Sequence, residues 1–219
     1  WNNKFTYPKS TRSIVNGSRH YNLDGSNLPS VTTILKATQS EEDKAGIAAW
    51  KERVGHKEAE RIKNEASNRG SSMHSYIEQF LLGKFNLDLL DEDNKSKKMA
   101  VEIIDNGLKN KLSEIWGTEA TVYYPGKYAG TADCICIYEG KETILDFKQS
   151  NKPKKQEFIL DYLLQGSAYS LAHNTVYNSR ITQVAILICT VDGLFQDFKI
   201  EGNELINFQN QFLEKVEQF

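Results

Sequence analysis

The stretch YAGTADCICIYEGKETILDFK, residues 128–148, decides how this chain is read. Its apolar residues alternate with a period of two on both sides of Glu139-Gly140, which predicts two antiparallel strands, Tyr128–Tyr138 and Lys141–Lys148, joined by a two-residue turn. Pairing Tyr138 with Lys141 and counting back sets Asp133 opposite Asp146. Upstream, Pro125-Gly126-Lys127 reads as the loop of a preceding hairpin with a strand Glu119–Tyr124, and counting back from Tyr124–Tyr128 sets Glu119 opposite Asp133. Glu119, Asp133 and Asp146 are therefore expected in one lateral row, with Lys148 on the same face; a bulge or one-residue slip would turn a side chain away.

Like charges facing each other across strands destabilise a sheet. Three carboxylates in a row need a compensating cation, and Mg²⁺ or Mn²⁺ suits oxygen ligands. Such a site acidifies water, draws charge from a phosphate oxygen and lets the nearby lysine orient the water or neutralise charge in the transition state. The expected reaction is phosphodiester hydrolysis by in-line attack of water, with one ion or two.

Working outward, segment 1–27 reads as irregular with candidate strands, because Ile14-Val15 and Tyr21 flank an Asn16-Gly17 turn signal, and Ser30 is a candidate cap for a short helix after Leu28-Pro29. Helical spacing predicts two charged helices between Glu41 and Gly83, broken near Asn68-Arg69-Gly70. A further helix is predicted from Asp91 to Trp116, with Met99, Ile103, Ile104, Leu108 and Leu112 inward. After the strands come a helix at 156–174, strands at 184–190 and 195–200, and a closing helix at 203–217. This order implies a mixed α/β fold, a central mixed sheet flanked by helices. Residues 1–40 are expected as an extension packed on a single domain, 41–219, whose helical part is 41–116 and whose sheet and remaining helices occupy 117–219.

The 219 residues, 39% hydrophobic and 26% charged, are those of an ordinary globular chain able to bury a core, and no apolar run is long enough to span a bilayer. Net charge is −2, so any nucleic-acid partner must be held by local patches. Cys134, Cys136 and Cys189 have no metal-knuckle spacing and read as small core residues in a reducing compartment. The chain opens on Trp1, which leaves a preceding targeting segment open.

Three motifs together resemble a known group: Gly130-Thr131-Ala132-Asp133, Ile144-Leu145-Asp146-Phe147-Lys148, and the helix Tyr162-Leu163-Leu164-Gln165-Gly166-Ser167-Ala168-Tyr169. With Arg69-Gly70-Ser71-Ser72-Met73-His74 upstream, they resemble the RecB-like branch of the PD-(D/E)XK nucleases across residues 69–172. Leu28-Pro29-Ser30-Val31-Thr32, Glu119 and Gln149-Ser150 extend the likeness to the mitochondrial genome maintenance exonucleases and their phage and bacterial relatives. Gln149 departs from the threonine common after the lysine.

The resemblance implies a restriction-endonuclease-like core with an N-terminal helical region, acting as a Mg²⁺- or Mn²⁺-dependent exonuclease on single-stranded DNA with free ends. It implies Asp133, Asp146 and Lys148 as catalytic residues, and His74, Asp133, Asp146 and the Phe147 carbonyl as metal ligands, to which the strand count adds Glu119. Arg69, Ser150, Lys152, Lys154, Gln165 and Tyr169 are the candidate nucleic-acid contacts, with Gln165 and Tyr169 alternatively bracing the site. Tyr7, Tyr21, Trp50 and Phe85 are candidate stacking residues, whereas His20, His56 and His173 read as surface. The competing functions are a structure-specific or restriction-type endonuclease and a catalytically idle nucleic-acid-binding module. The implied setting is DNA replication or recombination, in a bacterial or phage-infected cytoplasm, or in the mitochondrial matrix if a presequence precedes Trp1.

Overall fold

The computed structural model describes residues 1–84 and 94–219; Phe85 and the expected helix start at Asp91 lie outside the described residues. A three-stranded ribbon, β1 (Thr11–Val15), β2 (Ser18–Leu23) and β3 (Ser26–Pro29), leads into helices α1 (Val31–Ala37), α2 (Glu41–Val54), α3 (His56–Leu81) and α4 (Lys95–Ile103). Then come β4 (Leu112–Tyr124), β5 (Tyr128–Tyr138), β6 (Lys141–Ser150), α5 (Leu160–Tyr177), β7 (Gln183–Thr190), β8 (Phe195–Glu201) and α6 (Gly202–Gln218).

The five later strands form one sheet in the order β4-β5-β6-β7-β8, antiparallel except for the β6–β7 pair, which α5 connects as a crossover. Helices α5, α6 and α1 cover one face, burying Leu163, Ala168, Phe212 and Ile34 against Val122, Ile144 and Ile186. Helices α3 and α4 cover the other, with Met73, Ile77 and Met99 against Leu145, Phe147 and Leu187. All eight residues of β7 are buried, as expected for a strand sheathed on both faces. The cysteines are free and buried, in keeping with their reading as core residues.

Both tight turns follow from backbone chemistry. Glu139 and Gly140 have φ of 49° and 78°, as do Asn16 and Gly17 at 50° and 77°, the two left-handed positions that a hairpin of this twist requires. Glu139 adopts this at some steric cost, and Lys199 pairs with its carboxylate at 2.6 Å. Ser30 caps α1, its side chain accepting from Thr33 N–H.

Three expectations need correction. Helix α3 runs unbroken through Asn68-Arg69-Gly70; the break falls instead at Gly55, whose φ of 88° ends the preceding helix. A Cβ at Gly70 would meet only Gln149 Cγ at 3.6 Å, so nothing there forces a kink, and burial of Met73 and Ile77 holds the helix together. Residues 112–116 are strand, not helix: Asn110 turns the chain at φ 63°, and Leu112 pairs with Tyr138. Apolar residues at 108, 112 and 116 fit either period, and pairing with β5 decides between them. His173 is fully buried, not superficial; its ring bonds Tyr7 Oη at 3.1 Å and Ser179 Oγ at 2.6 Å.

Candidate active site

The sheet opens where the carboxylates were counted into a row. Pairing of β4 with β5 passes from Ala120–Ala132 to Thr118–Cys134 and skips Glu119 and Asp133, while β5 pairs with β6 only as far as Cys134–Leu145. Alternation shifts at this point. Ala132 packs under α5 and Cys134 under α3, although residues two apart on a regular strand share a face. Glu119 takes a left-handed φ of 46°. Beyond Leu145, β6 is paired only with β7, and the Asp133 carboxylate takes the place of the missing strand: its Oδ2 accepts from Phe147 N–H at 2.8 Å. The row is thus a splayed corner, and the splay makes the cavity.

That cavity, about 190 Å³, is lined by His74, Glu119, Asp133, Asp146, Lys148, Gln165 and Tyr169. His74 comes from α3, where it lies one turn from Glu78. His74 Nε2 donates to the Phe147 carbonyl at 2.6 Å, which turns Nδ1 towards Asp133 Oδ1 at 3.5 Å. One ligand atom each from His74, Glu119 and Asp133 lies within 4.8 Å of the others. With Nε2–H directed at the carbonyl, Nδ1 faces the Asp133 and Glu119 carboxylates. Converging acceptors of this kind fit a hard divalent cation. The Phe147 carbonyl, expected as a ligand, faces the His74 ring.

Asp146 is 2% exposed. Lys148 Nζ stands 2.7 Å from its Oδ2, yet that oxygen has no well-directed hydrogen bond among the described residues. Burial raises the Asp146 pKa and outweighs the pull of Lys148. For Lys148, burial acts downward, but the Asp146 and Asp133 charges raise it overall. The Glu119 carboxyl is also raised, first by desolvation in the cleft and then by Asp133. A crowded carboxylate set, with Asp146 buried, Asp133 half-buried and Glu119 exposed, is what a divalent ion would relieve.

Behind Lys148 stands a short series of hydrogen bonds. Nζ donates to Gln165 Oε1 at 3.2 Å, and Gln165 Nε2 donates to Tyr169 Oη at 2.9 Å. Tyr169 is only 3% exposed, and its ring fills the space over Gly130, where a Cβ would fall 2.4 Å from Cε1. Gln165 and Tyr169 therefore sit as braces for the lysine. Gly130 in the GTAD motif is there because the ring needs its missing side chain.

The other expected contacts divide. Lys152 and Lys154 line a hollow of about 390 Å³ with Gln149, Asn151 and Tyr162, and the Tyr162 ring is 5.0 Å from Lys148 Nζ. Ser150 is buried and closes its own turn, donating to the Lys152 carbonyl at 2.6 Å. Arg69 donates to Gln149 Oε1 at 2.8 Å and Asn151 Oδ1 at 2.5 Å; it pins α3 to the end of β6 and borders a separate hollow. Of the aromatics named for stacking, Tyr21 is buried and Tyr7 packs on His173, while Trp50 lies half-buried on α2.

Sequence reasoning missed Arg12 and Arg19, which line the same cavity beside Tyr21, named only for stacking, and Thr32, quoted only in a motif. The only signal for the two arginines was the Asn16-Gly17 turn, which implies that the flanking residues pair across a hairpin.

No family model matches the chain. By sequence it is 30% identical over 174 residues to human mitochondrial genome maintenance exonuclease 1, covering 76% of this chain and 50% of that protein. It is 26% identical over 214 residues to the Xenopus tropicalis protein of the same name, covering 92% and 60%. The chain thus spans about half the length of the curated relatives it matches. Among solved structures, an alkaline exonuclease from Laribacter hongkongensis overlaps 66% of this chain and 78% of its own, with 12% identity and a TM-score of 0.33. A phage-related exonuclease from Haemophilus somnus overlaps the same shares, with 14% identity and a TM-score of 0.36. Among the described residues no helix is long and apolar enough to cross a membrane. In sequence the chain is thus related to the mitochondrial genome maintenance exonucleases, which supports the nuclease relationship suggested by its motifs.

Proposed function

We propose that this chain is a divalent-metal-dependent DNA exonuclease that hydrolyses phosphodiester bonds of single-stranded DNA from free ends. The observation that carries the reading is the convergence of His74, Glu119 and Asp133 beside the buried Asp146–Lys148 pair in one cavity. His74, Glu119, Asp133 and Asp146 would hold Mg²⁺ or Mn²⁺, which supplies Lewis acidity: it draws charge from a phosphate oxygen and acidifies water.

The chain's own residues do the rest. Lys148 is an ammonium held by Asp146 and Gln165, so it acts as a donor to the phosphoryl oxygen where charge grows or to the attacking water. Gln165 and Tyr169 fix its direction before substrate arrives. Asp133 is oriented by Phe147 N–H, and His74 by the Phe147 carbonyl. Lys152 and Lys154, next to the end of β6, are placed to hold a neighbouring phosphate. The inner chamber of about 190 Å³ has room for a scissile phosphodiester. Residues 1–40 belong functionally with 41–219, because Arg12, Arg19, Ser30 and Thr32 line the same chamber. The reading also fits a role in DNA replication or recombination, the setting that the resemblance implies.

Digestion of end-labelled linear and covalently closed single strands with Mg²⁺, Mn²⁺ or EDTA tests the assignment. Linear strands should be degraded only with metal, circles spared, and Asp146→Ala and Lys148→Ala should be inactive. Rapid cutting of circles would make the enzyme an endonuclease, and absence of any cleavage would make the fold an idle binding module.

A further inference from the structure

We propose that the β1–β3 ribbon is a phosphate clamp, in which Arg12 and Arg19 grip the backbone of the single strand in the cleft between the ribbon and α3. The proposal rests on the nuclease reading and extends it to a part of the chain that carries none of its motifs.

Strand register sets the geometry. Arg12 pairs with Tyr21 and Ile14 with Arg19, and directly opposed residues share a face, so Arg12, Ile14, Arg19 and Tyr21 project on one side of the ribbon. Tyr21 pairs in turn with Leu28, and both are buried against Ala129 and Tyr123. The same face is thus rooted in the core at Tyr21, 3% exposed, and open at its tip, where Ile14 is 70% exposed. What the open part overlooks is the site. Arg12 and Arg19 line both the inner chamber and a larger cleft of about 560 Å³. Across that cleft, α3 presents Ala66, Ser67, Gly70, Ser71 and Ser75, small side chains that leave room for a chain to pass.

Arg12 is held through its guanidinium, and Arg19 through its backbone. An Arg12 Nη donates to Thr131 Oγ1 at 3.0 Å, and Tyr21 Oη bonds the same hydroxyl at 3.0 Å, two residues from Asp133. The Arg12 guanidinium lies 5.7 Å from the centre of the Tyr21 ring. The Arg19 carbonyl accepts from Ser30 N–H at 3.0 Å and Thr33 Oγ1 at 2.9 Å, which fixes this residue to the start of α1. Neither arginine has a carboxylate within ion-pair distance among the described residues, although Glu78 and Glu119 line the same cleft and the Arg12 charge is felt at Glu119. Guanidinium groups without a close ion-pair partner, set beside a cluster of acids, are suited to a polyanion that the acids alone would repel. Exposed Ile14 adds an apolar surface for sugar or base.

The test uses a fluorescein-labelled oligothymidylate. Binding is followed by anisotropy in EDTA over a range of salt, and cleavage by steady-state kinetics with Mn²⁺. Arg12→Gln and Arg19→Gln should each lower the slope of log affinity against log salt by about 0.7, the loss of one single-strand phosphate contact. KM should rise about tenfold with kcat nearly unchanged, the mark of lost ground-state binding. Arg→Lys at either position should restore the slope, and Arg61→Gln, on an exposed turn of α3, should alter nothing. Unchanged slopes and KM in a wild-type background that cleaves would overturn the clamp and leave the nuclease reading standing. A wild-type protein that neither binds nor cleaves the oligonucleotide would sink the nuclease reading itself.

Discussion

The tightest packing at the site lies between Gly130 and Tyr169, and Gly130→Ala probes it. An added Cβ would sit 2.4 Å from Tyr169 Cε1 and 3.0 Å from both Cζ and Oη. Carbon atoms rest at about 3.5 Å or more, so the ring or the strand must move by about 1 Å. The ring is 3% exposed, its hydroxyl is bonded to Gln165, and Gln165 holds Lys148, so the displacement is passed towards the ammonium. Overpacking of this kind costs about 1–3 kcal/mol of stability, and a shift of about 1 Å in a positioned group costs about a hundredfold in rate. Urea unfolding and single-turnover cleavage measure the two effects. Tyr169→Phe cuts the link at the hydroxyl, so adding Gly130→Ala to it should cost less rate than Gly130→Ala costs alone. Wild-type stability and turnover in Gly130→Ala would refute the bracing role of Tyr169, as would strict additivity of the pair.

Further expectations follow from the same geometry. Mn²⁺ should raise the thermal midpoint of the wild-type protein, by about 2.7 kcal/mol of added stability at a hundredfold excess over Kd; His74→Ala and Glu119→Gln should each remove most of that shift, and a full shift in both would exclude these residues as ligands. Lys148→Met should destabilise the apoprotein by about 3–5 kcal/mol at neutral pH, because it leaves Asp146 buried without its countercharge; adding Asp146→Asn should recover part of the loss in denaturant melts. Burial, with a smaller contribution from Lys4, pushes the His173 pKa from 6.5 down to about 4. Its stabilisation is therefore complete above about pH 6.5 and is lost as pH falls towards 4, an effect of about 3 kcal/mol. In His173→Gln that part of the pH dependence should flatten, and an unchanged profile would show that the ring is not held neutral.

Much of this molecule can be read from its sequence because local chemistry and global fold agree there. The alternation on either side of Glu139-Gly140 specifies the β5–β6 hairpin, Ser30 specifies the start of α1, and the unbroken apolar run of β7 specifies a sheathed strand. The motif residues His74, Asp133, Asp146 and Lys148 do gather at one cavity. Boundaries were less legible where two periods fit the same residues, as at Leu112–Trp116, and where a glycine could either break a helix or sit quietly within it, as at Gly70.

Tertiary structure alone decided the shape of the site. Counting along strands assumes an unbroken ladder, and the ladder parts at Asp133 because the carboxylate takes the Phe147 N–H and Glu119 turns to a left-handed conformation. Nothing local to either residue announces this. The same holds for Arg12 and Arg19, which reach the cavity from more than a hundred residues away in sequence because Tyr21 and Leu28 anchor the ribbon on β5. Residue types and spacing determined which chemistry this chain can do. Long-range packing, which depends on what each side chain meets and not on its neighbours in sequence, determined how the pocket opens and what guards its mouth.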